Sequence, residues 1–176
     1  MAVKKLGIFC GSSSPKDTEL FDGIKIFLEE LFKIGHYDVV YGGASIGIMG
    51  EVADISLKNN RFVYGVMPGF LQKRNVDHRG LSDFEVCETM HERKEKMYVL
   101  SDAFLILPGG FGTLDEFFEV LTWRQLSLHQ KPIFLLNTNG FYDGLISHID
   151  KMCDLGLVSN DDRAIIKIVT NAQDLS

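Results

Sequence analysis

The run AFLIL, Ala103 to Leu107, is apolar at five successive positions, so a strand made from it has no face to give to water. Strands of that kind belong in a parallel sheet covered on both sides, whereas a half-exposed strand alternates apolar with polar residues. Similar short runs recur at fairly even intervals: KLGIFC (5–10), YDVVY (37–41), RFVYGVM (61–67), FEVC (84–87), PIFLL (132–136) and AIIKIV (164–169). Helical patterns lie between them. In DTELFDGIKIFLEELFKIG an apolar stripe runs through Leu20, Ile24, Phe27, Leu28 and Leu31, with Gly35 as the expected stop. Further helices are expected at Met49–Leu57, Met90–Ser101, Leu114–Leu126 and Tyr142–Leu155. This alternation predicts an α/β fold over residues 1–176: a single-domain, Rossmann-like, doubly wound, mainly parallel sheet with helices on both faces. The order of the strands stays open. The least regular stretch, Pro68–Asp83, is long enough for a lid or a partner contact.

A chain of 176 residues suffices for one domain with a sizeable core. Its net charge of −6, from 24 acidic and 18 basic residues without a long basic block, argues against nucleic acid or a membrane as a partner. A small anionic ligand is compatible, because a local site can be positive on an acidic protein. Cys10, Cys87 and Cys153 form no CxxC pair and read as reduced thiols. The opening MAVKKLGIFCGSSS imitates a signal peptide, but LGIFC is too short for its apolar core and reads as a first strand. No apolar run approaches the ~20 residues of a membrane span. The cytoplasm is the expected compartment.

In open α/β sheets ligands bind beyond the carboxyl ends of the strands. Three of those ends carry glycine-rich turns: CGSSS after the first strand, GGASIGIMG after the second and PGGFGT after the fifth. Glycine lets a backbone approach a ligand closely, and a following helix offers unpaired N–H groups to an anion. None of the three is a Walker A loop or a GxGxxG fingerprint, which weakens ATPase and dinucleotide readings. Thr113 and Glu116, in PGGFGTLDE, also fit a capping box, with the threonine capping a helix and the glutamate reaching back. That alternative stays open. The run HERKEK, His91 to Lys96, fits an exposed helix face with Glu92 and Lys96 paired, yet Met90 and Met97 share a side with Arg93 or Lys94. Cys10 fits a small core residue better than a nucleophile. His36, His78, His91, His129 and His148 show no ligand spacing, so neither a metal site nor a cofactor is expected.

PGGFGTLDE resembles the PGGxGTxxE signature of the LOG (Lonely Guy) family of phosphoribohydrolases, which release cytokinin bases from their nucleotides. CGSSS, YGGASIGIMG, GVMPGFL, MHERKEKM, SDAFLILPGGFGTLDEFFEV, TWRQLSLHQKPIFLLN and GFYDGL resemble further family blocks in the same order. The resemblance implies hydrolysis of the N-glycosidic bond of a nucleoside 5′-monophosphate, AMP or an N6-modified AMP. It puts the catalytic arginine and glutamate on Arg93 and Glu116. Other substrate contacts fall on Lys94, on Gly110, Phe111, Gly112, Thr113, Leu114 and Asp115, and on Thr122. Ser12, Gly43, Met90 and Asn75 are additional candidates. The sequence departs from the family at Asn75, Asp115 and Phe111, where glutamate, glutamate and tyrosine are common. A homodimer with its site near the interface is also implied, with a small-molecule nucleotide as partner.

Breaking a ribosyl C–N bond develops positive charge on the sugar and negative charge on the base. A carboxylate near the ribose answers the first need, which suits Glu116. Arg93 would orient the nucleotide, and the backbone of Gly110–Thr113 would hold the 5′-phosphate. Two rivals stand beside this expectation: a non-catalytic carrier of a nucleotide or of molybdenum cofactor, and a hydrolase acting on another nucleotide.

Overall fold

The computed structural model describes residues 4–74 and 76–175. Seven strands form one sheet: β1 (Lys4–Phe9), β2 (Tyr37–Tyr41), β3 (Val63–Pro68), β4 (Asp83–Cys87), β5 (Ala103–Ile106), β6 (Ile133–Leu136) and β7 (Ile166–Val169). Their order is β4-β3-β2-β1-β5-β6-β7, and every neighbouring pair is parallel. The chain therefore winds outward from β1 to one edge, then returns to the other side of β1 and winds outward again. The reversal falls between β1 and β5.

Continuous apolar strands are explained by the two layers that cover them. Successive residues point to opposite faces. Leu6, Ile8, Val39, Tyr41, Leu105 and Leu107 join a core with α1 (Thr18–Ile34) and α2 (Gly47–Lys58). Phe9, Val40, Phe104 and Ile106 join the other, with Met97 of α4 (Met90–Leu100), Phe117 of α5 (Phe111–Gln125) and Ile149 of α6 (Asp143–Asp154). Each such side chain contributes about 1.5–3 kcal/mol by leaving water, so truncating one of these aromatics costs several times the effect of a surface change.

The expected stripe of α1 is buried at Leu20, Ile24, Phe27, Leu28 and Leu31. Asp17 caps its start, accepting from the N–H groups of Glu19 and Leu20, and the Gly35 N–H closes its end on the Leu31 carbonyl at 2.8 Å. Two short helices went unforeseen: α3 (Gly69–Gln72) and α7 (Asn160–Ala164). The irregular stretch between β3 and β4 is tied back to the loop after β2. The Ser45 N–H donates to the Val76 carbonyl, and the His78 N–H to the Gly43 carbonyl. Asn75 lies outside the described residues. Among the described residues no helix is long and apolar enough to cross a membrane.

The capping box expected at Thr113–Glu116 is absent from α5. That helix starts three residues earlier than the sequence pattern suggested, with extended Gly110 as its N-cap and, among the described residues, no side-chain cap. A comparable device sits on α4 instead. The Thr89 hydroxyl accepts from the Glu92 N–H at 3.1 Å, and the Glu92 carboxylate accepts from the Glu88 N–H at 2.8 Å. Glu116 is thereby left free to face another partner.

Candidate active site

A cleft of about 570 Å³ opens where the sheet reverses direction, within the usual size of a small-molecule site. Its floor and sides come from Cys10–Pro15 after β1, Ile48 and Met49 of α2, Met90 and Arg93 of α4, Pro108–Thr113 with Asp115 and Glu116 after β5, and Phe141. The β1 and β5 loops meet directly: the Gly11 N–H donates to the Pro108 carbonyl at 3.2 Å. Gly109 permits this closeness. A Cβ there would lie 2.1 Å from Thr113 Oγ1 and 2.9 Å from the Gly11 nitrogen. The third glycine turn joins through the Met49 N–H, which donates to the Gly11 carbonyl at 3.2 Å.

Gly110 and Gly112 differ from Gly109. A Cβ at either would meet nothing within 4 Å, so packing within the chain gives no reason for glycine there. Both border the cleft, at the start of a helix whose first N–H groups have no intrahelical partner and no side-chain cap. The helix macrodipole adds roughly half a positive charge at that end. Open space, bare N–H groups and a positive field together make a seat for an anion.

Arg93 and Glu116 stand beside that seat. The two are only 5% and 4% exposed, and Arg93 Nη1 donates to Glu116 Oε1 at 2.7 Å. Arg93 Nε donates to the Val66 carbonyl at 3.1 Å, and the guanidinium rests against Gly42, where a Cβ would come within 2.0 Å of Nη2. Burial pushes the Glu116 carboxyl above the ordinary carboxylate range, while the adjacent guanidinium pulls the other way. Removing either partner would strand a buried charge, so the pair is a rigid unit. Burial likewise pushes the Cys10 thiol up, well away from thiolate character.

Lys94 is buried as well, against the expectation of an exposed HERKEK face. It does not line the cleft. Its Nζ lies 3.0 Å from Asp115 and 3.0 Å from Glu119, tying α4 to α5. The solvated-face reading holds for His91 and Glu95, which are exposed, and for half-buried Glu92 and Lys96, where Lys96 pairs with Glu85 and Glu92. Among the residues expected at the site, Ser12, Met90, Arg93, Gly110, Phe111, Gly112, Thr113, Asp115 and Glu116 line the cleft. Leu114 and Thr122 lie instead along a second, shallower depression on the outer side of α5, which Phe111 and Asp115 also border. Gly43 is buried behind the cleft, with Phe84 next to it. The glycine turn after β2 was flagged with Gly42 as its first residue, although the approach of Arg93 to it was not foreseen. Leu20 was read only as part of the α1 stripe and Phe141 only as part of the GFYDGL block, so the place of both at the cleft was missed.

A family model described as possible lysine decarboxylase matches residues 49–176. Curated relatives carry another description. The chain is 41% identical over 172 residues to cytokinin riboside 5′-monophosphate phosphoribohydrolase LOG2 of Arabidopsis thaliana, covering 98% of this chain and 80% of that one. It is 40% identical over 172 residues to the LOG phosphoribohydrolase of Oryza sativa subsp. japonica, covering 98% and 71%. Among solved structures, the molybdenum cofactor binding protein of Rippkaea orientalis superposes with a TM-score of 0.71 at 18% identity, over 99% of this chain and 94% of that one. The Moco carrier protein of Chlamydomonas reinhardtii gives 0.69 at 15%, over 98% and 93%. At such identities these two show a shared fold and nothing more.

Proposed function

The chain belongs to the LOG family, and from that premise we propose that it hydrolyses the N-glycosidic bond of a nucleoside 5′-monophosphate. Water adds at C1′ of the ribose, the bond to the base nitrogen breaks, and free base and ribose 5-phosphate leave. AMP or an N6-modified AMP is the proposed substrate, following the names of the relatives. The observation that carries this reading is the buried Arg93–Glu116 pair at 2.7 Å beside the uncapped start of α5.

Each part has a physical task. Phe111, Gly112 and Thr113 present backbone N–H groups to the 5′-phosphate, which anchors the nucleotide and fixes its sugar. Glu116 stabilises the positive charge that grows on the ribose, and its raised pKa makes it a better base toward water than an exposed glutamate. Arg93 holds that carboxylate in place and offsets charge on the bound nucleotide. Asp115 and Lys94 brace the same turn from outside. Met90 and Ser12 border the bound ligand.

The proposed assembly is a homodimer in the cytoplasm, each chain a single domain. Phe111 is 93% exposed, and Phe118, Leu126 and Leu128 are exposed on the same helix and its end, which supports burial against a second copy. Closure of that face would enclose the depression that holds Leu114 and Thr122. The test is incubation with AMP and chromatography for adenine and ribose 5-phosphate. Release of both is expected, and binding of AMP without any release would favour a carrier.

A further inference from the structure

The charged residues that line the cleft all come from one side of the sheet. Arg93 belongs to α4, and Asp115 and Glu116 to α5. The rest of the lining is uncharged: Pro15, Leu20, Ile48 and Phe141 contribute a hydrocarbon wall, beside the hydroxyls of Ser12, Ser13 and Ser14. Leu20 and Ile48 belong to the buried cluster of α1 and α2, on the other face of the sheet from the cluster of Met97 and Phe117. A ligand that spans this cleft meets charge from α4 and α5 and an uncharged, largely apolar surface elsewhere. A nucleotide has that polarity, with an anionic phosphate and sugar at one end and a flat aromatic base at the other.

Phe141 is the aromatic member of that wall, and its placement is unusually constrained. It follows a short 3₁₀ turn, Thr138–Gly140, in which two successive residues are left-handed: Asn139 (φ 51°) and Gly140 (φ 67°). Left-handed backbone away from glycine is uncommon and clusters at functional positions. The turn is clasped from within, since the Asn137 side-chain Oδ1 accepts from the Tyr142 N–H at 2.7 Å and its Nδ2 donates to Asp143 Oδ1 at 2.8 Å. Tyr142, buried next door, donates its hydroxyl to the Leu107 carbonyl at 2.8 Å and meets the Phe141 ring edge-on at 4.7 Å. The same Leu107 carbonyl leads into the Pro108 turn. Phe141 itself is 42% exposed, so its ring is held by the fold yet kept half uncovered at the cleft. An apolar ring fixed in this way is a platform awaiting another flat group.

We propose that Phe141 is a specificity-determining residue whose ring, in a cleft also lined by Pro15 and Leu20, forms the platform on which the base of the bound nucleotide stacks. This rests on the nucleotide reading of the cleft. Stacking on an aromatic ring tolerates any base, so Phe141 discriminates nucleotides from sugar phosphates that lack one.

The experiment compares wild type with Phe141→Ala and Phe141→Tyr, using AMP and ribose 5-phosphate as probes. Calorimetry gives the dissociation constant of each ligand, and base release gives kcat and KM for AMP. Phe141→Ala should weaken AMP binding and raise its KM about tenfold or more, with ribose 5-phosphate binding unchanged within twofold. Phe141→Tyr keeps the ring and should restore AMP binding, which also covers the case that the alanine variant folds poorly. Equal AMP affinity in wild type and Phe141→Ala overturns the platform. So does an equal loss for AMP and ribose 5-phosphate, which marks a structural residue. A wild-type protein that binds AMP but releases no base refutes the hydrolase and leaves the calorimetric test of the platform intact. One that binds no AMP overturns both.

Discussion

Gly42→Ala isolates the geometry of Arg93 from its charge. Gly42 has no positive φ, so alanine fits its backbone. The only conflict is steric. The new Cβ would stand 2.0 Å from Arg93 Nη2, 3.2 Å from Cζ and 3.1 Å from the Met49 methyl. Real Cβ contacts essentially never fall below 3.0 Å, so the guanidinium must retreat by at least about 1 Å. It cannot do so freely. Nη1 is bonded to Glu116 at 2.7 Å and Nε to the Val66 carbonyl at 3.1 Å, and the side chain is almost fully buried. A displacement of about 1 Å in a catalytic group costs on the order of a hundredfold in rate, or about 2.7 kcal/mol of transition-state stabilisation. The assay is kcat/KM for base release from AMP, read together with the thermal midpoint. A fall of about a hundredfold in kcat/KM is expected, with the protein still folded. Wild-type kcat/KM in Gly42→Ala would show that the position of Arg93 is irrelevant to turnover, and the role assigned to the pair would go with it.

Glu116→Gln should reduce base release by several orders of magnitude while circular dichroism stays that of the wild type; full activity would remove this carboxylate from the chemistry. The working form is ionised, so kcat/KM should fall as pH is lowered, with its midpoint above the ~4.3 of an exposed glutamate because burial raises this carboxyl. A rate that stays flat down to about pH 4 would contradict that assignment. The two kinds of glycine in the β5 turn should separate cleanly. Gly109→Ala forces Thr113 and Gly11 apart and should cost about 1–3 kcal/mol of stability, visible in denaturant unfolding. Gly112→Ala should leave the midpoint unchanged and raise KM for AMP, and an unchanged KM would mean that the open space above it is not where the phosphate sits.

The seven strands and five long helices were legible because each carries its own signal. Consecutive apolar residues in AFLIL and PIFLL marked strands covered on both faces, and the stripe of α1 gave both its buried side and its stop at Gly35. The basic residue on the apolar side of HERKEK was legible too, from the spacing of Met90 and Met97, and two such residues proved buried. Strand order was not legible. Which edges pair is settled by packing across the whole sheet, and no local pattern encodes that β5 returns to β1. The start of α5 was misread because Thr-Leu-Asp-Glu satisfies a capping pattern that the extended Gly110 pre-empts. Lys94, Leu114 and Thr122 fell outside the cleft because residues adjacent in a helix point in different directions.

The handshake between Gly11 and Pro108 has a consequence for how the molecule comes apart. Its two hands belong to distant portions of the polypeptide, so the mouth they form exists only once β1 and β5 lie side by side. A nascent chain halted before Pro108 would own half of it. In the finished molecule, anything gripped there acts as a staple across the centre of the sheet, opposing separation of the two halves instead of local fraying. Saturating nucleotide should accordingly slow hydrogen exchange in both wings of the sheet together.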